Sequence, residues 1–446
     1  MDIIIKILAF VFSLTILVTI HEFGHYITAK IFGARVDKFY IFFNPYFSLF
    51  KKKIGETEYG LGWLPLGGYC KIAGMVDESM DTEALKQAPQ SWEYRSKPAW
   101  QRLIIIVGGV VMNVILAWFI YSMVIFSKGE TYIAARDVKD GIMIIDSTLT
   151  TPIGLKNGDI IKEVNGREIE KFFDVYNELL MGESVTVSRN GRDTTLSIPV
   201  DYIDHFSQDT DPFFLYPRVP LMVASIPDSS INASSGLIEG DVILSVSGTP
   251  TPYYDMAAPI LMSYAGRDVM LEVERDGAAV FIGAQVSQDG KLGIYPLPTP
   301  AMLMEKEIFP VTAKEYGFFS SLVRGASITG NKIAGYWEQV KKIVNPQTKA
   351  YKKVGSVITM GSMFPSSWDW LTIWQLTAFL SIMLAVVNIL PIPALDGGHA
   401  VFIIYEMITR RPPSEKVLEY AQMAGFVILM IIMILAFGND ILRLFA

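Results

Sequence analysis

Cysteine is almost missing from this chain: Cys70 is the single one in 446 residues. That excludes an internal disulfide and any Cys-x-x-Cys metal site, so a bound metal ion has to rest on histidine and carboxylate. Histidine is scarce as well, with only His21, His25, His205 and His399. Charged residues make up 19% against 51% hydrophobic, at a mean hydropathy of +0.34. Such a chain is too apolar for an ordinary soluble enzyme and too polar to lie wholly in a membrane. A membrane protein with a substantial soluble part fits. The net charge of −7 leaves no basic surface, and no basic–aromatic interleaving occurs, which argues against a nucleic-acid partner.

What is present is, first, long apolar runs. A bilayer span needs about 20 apolar residues. Four stretches meet that length: Ile3 to about Phe32, Leu103 to Phe126, about Leu371 to Leu390, and roughly Ala421 to Phe437. Trp368, Trp370 and Trp374 ahead of the third suit an interfacial belt. No small-residue cleavage site follows the first run, so it reads as a retained helix rather than a signal peptide. The link between the last two runs carries Arg410, Arg411 and Lys416. Residues 26 to 102 hold 11 Lys or Arg, including Lys51-Lys52-Lys53. Both loops therefore face the cytoplasm by the positive-inside tendency, and both termini lie on the outer side.

Inside the first run stands His21-Glu22-Phe23-Gly24-His25. On a helix, i and i+4 share a face, so the two imidazoles can meet one metal ion while the Glu22 carboxylate lies beside it as a base for a metal-bound water. Ionisable groups at membrane depth are expensive and usually functional. The plainer reading is a pair of surface histidines at a helix end. The charge pattern places the motif toward the cytoplasmic side.

Residues 39 to 75 are rich in aromatics and glycine. Tyr59 to Tyr69 reads Tyr-Gly-Leu-Gly-Trp-Leu-Pro-Leu-Gly-Gly-Tyr, whose alternation and turn residues predict short strands or a hairpin. The stretch is apolar enough to dip into the membrane beside the first helix, where irregular backbone needs protein or a wet cavity to satisfy it. A simple interfacial loop is the alternative.

Between Lys128 and about Pro300 the runs shorten to strand length and a repeat appears. Gly154-Leu155-Lys156-Asn157-Gly158-Asp159-Ile160-Ile161 returns as Gly236-Leu237-Ile238-Glu239-Gly240-Asp241-Val242-Ile243. Val164-Asn165-Gly166 is matched by Val246-Ser247-Gly248, and Arg189-Asn190-Gly191 is echoed by Arg275-Asp276-Gly277. Two tandem, mostly β domains follow. The Gly-x-x-x-Gly-Asp turn running into an alternating strand resembles a PDZ domain, a fold that captures peptides by strand addition; the usual Gly-Leu-Gly-Phe loop is not evident. Residues 315 to 345 predict an amphipathic helix with Phe318, Leu322, Ile328, Ile333 and Val340 on its apolar side. It would rest on the membrane surface or brace the second repeat; the sequence does not choose.

A catalytic zinc site usually has three protein ligands and an open position. His205, in a polar stretch, reads as solvent-exposed. The remaining candidates cluster in Asn388-Ile389-Leu390-Pro391-Ile392-Pro393-Ala394-Leu395-Asp396-Gly397-Gly398-His399, where prolines and glycines break the helix. Both Asp396 and His399 stand within reach of a metal on His21 and His25.

Together the His-Glu-x-x-His span, the Asn-x-x-Pro-x-Pro-x-Leu-Asp-Gly-Gly stretch and the inserted repeats resemble the site-2 protease family of intramembrane zinc metalloproteases, in the layout of its bacterial branch. The resemblance implies Zn²⁺ held by His21, His25 and Asp396, with Glu22 as catalytic base. It implies substrate-handling or supporting roles for Asn388, Pro391, Pro393 and Asn113; Asn113 follows Gly108-Gly109-Val110, where Val110 stands in place of the family's proline. Pro65 to Tyr69 resembles the family's membrane-embedded β region, and Gly355-Ser356-Val357 stands where the family often has Gly-Pro-Ile. The implied activity is a metalloendopeptidase of the bacterial inner membrane with its PDZ pair outside. The implied partners are membrane lipid and single-span substrates: anti-sigma factors already trimmed by another protease, and remnant signal peptides.

The expected architecture is a polytopic α-helical membrane protein with four transmembrane helices, a membrane-associated β region and two tandem PDZ-like domains. Its parts are a first span (1–34), a β region and loop (35–102), a second span (103–127), the repeats (128–212 and 213–300) and a helical linker segment (301–367). A third span (368–394), a loop bearing the Leu-Asp-Gly motif (395–419) and a fourth span (420–446) follow. The competing reading is a non-catalytic PDZ scaffold or metal-binding membrane protein; Glu22 beside both histidines argues against it, since neither role needs a base. A transporter lacks support, because no inverted hydropathy repeat is seen.

Overall fold

In the computed structural model, residues 2–65, 67–75, 88–206, 213–296, 303–304 and 308–445 are described. Leu66, in the glycine- and aromatic-rich stretch, lies outside them. Among the described residues, four helices have the length and apolar composition to cross a membrane: Asp2–Ile31 (α1), Ala99–Lys128 (α2), Trp370–Asn388 (the third span) and the body of Glu415–Phe445 (the fourth). The protein is an integral membrane protein. The chain forms two compact units, residues 1–129 with 315–446, and residues 130–314.

In the first unit, small residues let helices approach, as lipid-immersed packing requires. A Cβ on Gly24 would stand 2.3 Å from the Gly108 carbonyl oxygen, and one on Gly108 would stand 2.7 Å from that of Gly24, so α1 and α2 cross backbone to backbone here. The third span joins them through Ser13 Oγ with Thr377 Oγ1 at 2.8 Å and through Ser381 Oγ, which donates to the Asn113 carbonyl at 2.8 Å.

Residues 36–72 form the expected β region, a four-stranded sheet of Val36–Ile41 (β1), Phe50–Ile54 (β2), Thr57–Leu61 (β3) and Tyr69–Ile72 (β4), ordered β2-β3-β1-β4. β1 runs parallel to β3 and antiparallel to β4. The aromatics stack across it: Tyr40 lies flat on Tyr69 with centroids 5.2 Å apart.

The amphipathic segment is the helix Phe318–Val344. It packs on the bundle: Ile328, Ile333, Tyr336 and Val340 lie against a core of Ala117, Ile120, Tyr121, Ala378, Ile382 and Val386. Gly325 sits where a Cβ would meet Ser122 Oγ at 2.1 Å, and Trp118 Nε1 donates to the Leu322 carbonyl at 2.9 Å.

The second unit contains two similar β sheets. The first orders Arg192–Ser197, Ser184–Arg189, Ile160–Val164 and Arg167–Glu168; the second orders Leu221–Met222, Val242–Val246, Asp268–Arg275 and Ala278–Gln285, with Thr249–Pro250 on Val242–Val246. The repeated letters have a common purpose. Arg189 grips Asp159 with both Nε and Nη2 at 2.7 Å and reaches the Gly154 carbonyl at 2.8 Å. Arg275 repeats this on Asp241 and the Gly236 carbonyl, each at 2.8 Å. Each Asp also takes a main-chain N–H, from Lys156 or Ile238. One fork therefore ties the turn to a strand 30 residues on.

Two boundaries move. Phe214, Leu215, Tyr216 and Val219 are buried in the first repeat's core, so the division at 212/213 falls inside that core. The cause is strand pairing: Leu215–Pro217 adds to Ile142–Ile144 and carries its apolar side chains with it. The segment expected as a loop at 395–419 is largely the helix Asp396–Thr409. Its start is legible in the Gly pair, because Cβ atoms on Gly397 and Gly398 would stand 2.3 Å from the carbonyl oxygens of Ile389 and Ile392. The chain reverses so tightly there that only glycine fits.

Candidate metal centre

Three elements of the first unit build the cluster. α1 supplies His21 and His25, both 8% exposed, one turn apart with ring centroids 4.9 Å from each other. α2 lies beneath them. Gly109 leaves the space the rings occupy, since a Cβ there would stand 2.5 Å from His25 Nε2 and 2.8 Å from His21 Cε1. The reversal after the third span delivers Asp396 as the first residue of its helix.

The donor atoms converge. His21 Nε2 and His25 Nε2 are 3.3 Å apart, and Asp396 Oδ2 stands 3.3 Å from the first and 3.5 Å from the second. Four ligands placed tetrahedrally around zinc at about 2.0–2.1 Å have edges of about 3.4 Å. The three measured edges match that figure. Asp396 Oδ2 is also buried without a hydrogen-bond partner among the described residues. A buried carboxylate oxygen left unpaired between two nitrogens is costly unless a cation joins them. The residues fit a divalent metal with one position open.

The far nitrogens are held by α2. His25 Nδ1 donates to the Ile105 carbonyl at 2.9 Å, and His21 Nδ1 faces the Asn113 amide at 3.1 Å. Asn388, the last residue of the third span, brings its amide to 3.2 Å from His21 Nε2. Glu22 points from α1 toward β4, where Gly68 makes room: a Cβ there would stand 3.3 Å from Glu22 Cγ. Burial and the nearby Glu22 carboxylate push the Cys70 thiol well above its ordinary pKa, so the single cysteine stays a neutral thiol.

Of the sequence candidates, His21, Glu22, His25, Asp396, Asn113 and Asn388 meet around this point. His399, one turn beyond Asp396, is outside the three-donor group, and His205 is exposed on a short turn of the other unit. Pro391 and Pro393 belong to the reversal; Gly425 of the fourth span closes on it, where a Cβ would stand 2.7 Å from the Ala394 nitrogen. Sequence reading missed Ile105, which acts through its main chain and leaves no side-chain signal. It also missed Ser381 and the Arg102–Glu406 ion pair that fastens the Asp396 helix to α2. Isolated polar residues in apolar helices were the signal for those.

The fold and cluster together define an integral membrane protein with a His–His–Asp donor set, its two histidines buried, and an adjacent glutamate. Peptidase family M50 matches residues 9–432, and the chain belongs to that family, the site-2 proteases. Relatives align end to end. The "Regulator of sigma-E protease RseP" of Escherichia coli is 27% identical over 98% of both chains, and that of Salmonella typhimurium is 27% identical over 98% of both. A Vibrio cholerae protein named "Putative zinc metalloprotease" is 27% identical over 99% of this chain and 100% of its own.

Proposed function

We propose that the protein is a zinc endopeptidase that cuts single-span membrane proteins within the bilayer of a bacterial inner membrane. The observation carrying this is the trio of donor atoms at 3.3–3.5 Å with an unpaired buried carboxylate oxygen, set beside Glu22. His21, His25 and Asp396 hold the metal. When bound, zinc polarises the scissile carbonyl and makes a water acidic enough to ionise near neutral pH. Glu22 takes the proton of the attacking water and later gives it to the leaving amine. Asn388, bordering His21 Nε2, holds a main-chain group of the substrate beside the metal.

A transmembrane helix hides its carbonyls in its own hydrogen bonds, so a substrate must unwind to reach this cluster. The β1–β4 sheet, whose β4 edge lies along α1, offers strand pairing for the unwound stretch. The two repeats of the second unit we read as PDZ-like domains on the outer face, screening out untrimmed substrates. Anti-sigma factors and remnant signal peptides fit such a filter, and relatives named regulator of sigma-E protease support a link to sigma-factor control.

The test is cleavage of a trimmed single-span substrate by purified protein, wild type beside Glu22→Gln, with zinc counted in both. Cutting by wild type alone, with about one zinc per chain in each, supports the reading. Zinc without cutting in either, across several substrates, favours a metal-binding scaffold. Deleting residues 130–314 should admit untrimmed substrate; unchanged discrimination would remove the filter.

A further inference from the structure

α2 presents three positions at a spacing of four to the histidine pair: the Ile105 carbonyl, the bare Gly109 and the Asn113 amide. These are i, i+4 and i+8, one face of one helix. The first sets the tautomer of His25. A carbonyl can only accept, so Nδ1 of His25 carries the proton and Nε2 keeps its lone pair. His21 points its Nε2 at the same place, 3.3 Å from His25 Nε2 and 3.3 Å from Asp396 Oδ2. For both imidazoles to present lone pairs there, His21 must also carry its proton on Nδ1. The group facing that proton is the Asn113 amide at 3.1 Å, fully buried.

We infer that Asn113 is a positioning residue for the metal: its side-chain oxygen accepts the Nδ1–H of His21 and fixes the tautomer that leaves Nε2 free to ligate. An amide's two ends have the same shape, and its orientation is decided by what it faces. As placed, Oδ1 of Asn113 is buried without a hydrogen-bond partner among the described residues; the imidazole decides which end of the amide faces it. With oxygen toward His21, the Nδ1 hydrogen bonds of both histidines run to α2. With nitrogen there, the proton moves to Nε2 and the donor set closes. Ser381 of the third span hydrogen-bonds the main-chain carbonyl of Asn113 at 2.8 Å, which fastens the backbone that carries the amide. A neutral acceptor behind a metal-bound histidine orients the ring and raises its donor strength, and its loss typically weakens metal binding 10–100-fold.

The inference rests on His21, His25 and Asp396 being a zinc site, and its test separates the two. Zinc affinity of the purified full-length protein is measured by competition with a chromophoric chelator, alongside melting of the metal-free form. The proteins compared are wild type, Asn113→Leu and Asn113→Asp. Leucine keeps the bulk and removes the acceptor; aspartate keeps an acceptor oxygen. Expected is a loss of about 10–100-fold for Asn113→Leu and a clearly smaller one for Asn113→Asp, with metal-free melting alike. Wild-type affinity in Asn113→Leu, or an equal loss in both variants, overturns it while leaving the zinc site standing. Failure of wild type to bind zinc overturns both. Should Asn113→Leu melt well below wild type, Asn113→Asp carries the decision: retained affinity supports the role and lost affinity overturns it.

Discussion

Each unit of this molecule holds an aspartate with a carboxylate oxygen out of solvent, and the two settings of Asp241 and Asp396 are opposites. Asp241 of the second unit is 1% exposed and fully engaged, gripped by both arms of Arg275 and by the Ile238 N–H. Asp396 of the membrane unit has a buried oxygen with no hydrogen-bond partner among the described residues and two imidazoles standing off at 3.3 and 3.5 Å. One carboxylate has spent its capacity inside the protein and holds the chain in shape. The other keeps capacity for something the chain does not itself provide. Burial alone does not mark a functional acid; an unfilled lone pair does.

The comparison breaks most sharply at the residue beside Asp396. Glu22→Gln keeps every donor atom, so zinc should stay, while cleavage of a single-span substrate should fall by about 10²–10⁴-fold; near-normal turnover would show that Glu22 is not the base. Asp396→Asn comes next. Zinc affinity should drop by more than about 100-fold, beyond the loss of an outer partner, with little change in metal-free melting, because no hydrogen bond of that oxygen is lost. A fall in metal-free melting would make Asp396 a structural residue like Asp241.

The converse change, Asp241→Asn, should leave zinc content untouched and destabilise the second unit. Removing one partner of a buried ion pair costs about 3–5 kcal/mol. Arg275 is 27% exposed, so water softens the loss to about 2 kcal/mol by denaturant titration. The smallest effect concerns pH. Burial raises the pKa of Asp241, but Arg275 and the Ile238 N–H outweigh it and hold the carboxyl below its ordinary value. A group depressed in the folded state stabilises above its unfolded pKa, about 3.9, and that contribution drains away as pH falls through the folded value. Unfolding of the second unit should therefore ease below about pH 4, and Asp241→Asn should flatten that dependence.

How much of this was legible in letters follows the same division. The His21/His25 spacing, the four apolar runs and the Gly-Asp repeats declared themselves, since each is a periodic or local signal. The zinc candidates narrowed to Asp396 or His399 from the broken stretch alone. The Asp396 helix was hidden because two prolines and two glycines read as a loop, when the glycines mark a reversal too tight for side chains. The edge of the first repeat was misplaced for a different reason. Leu215–Pro217 lie next to the second repeat in sequence but pair with Ile142–Ile144, a long-range choice no local pattern announces. Ile105 was beyond reach, since its contribution to His25 is a carbonyl that any residue carries.

One feature of the second unit bears on how such a chain arose. Its first strand, Glu130–Ile133, pairs antiparallel with its last, Val311–Lys314, and Glu130 stands opposite Lys314. The points where the chain enters and leaves are thus neighbours across a single strand spacing, about 5 Å. A cassette with adjoining ends can be spliced into a host, lengthened, duplicated or exchanged without stretching the host's own path. The doubled repeat reads as such a history, an insertion changeable at little cost to the metal-bearing helices.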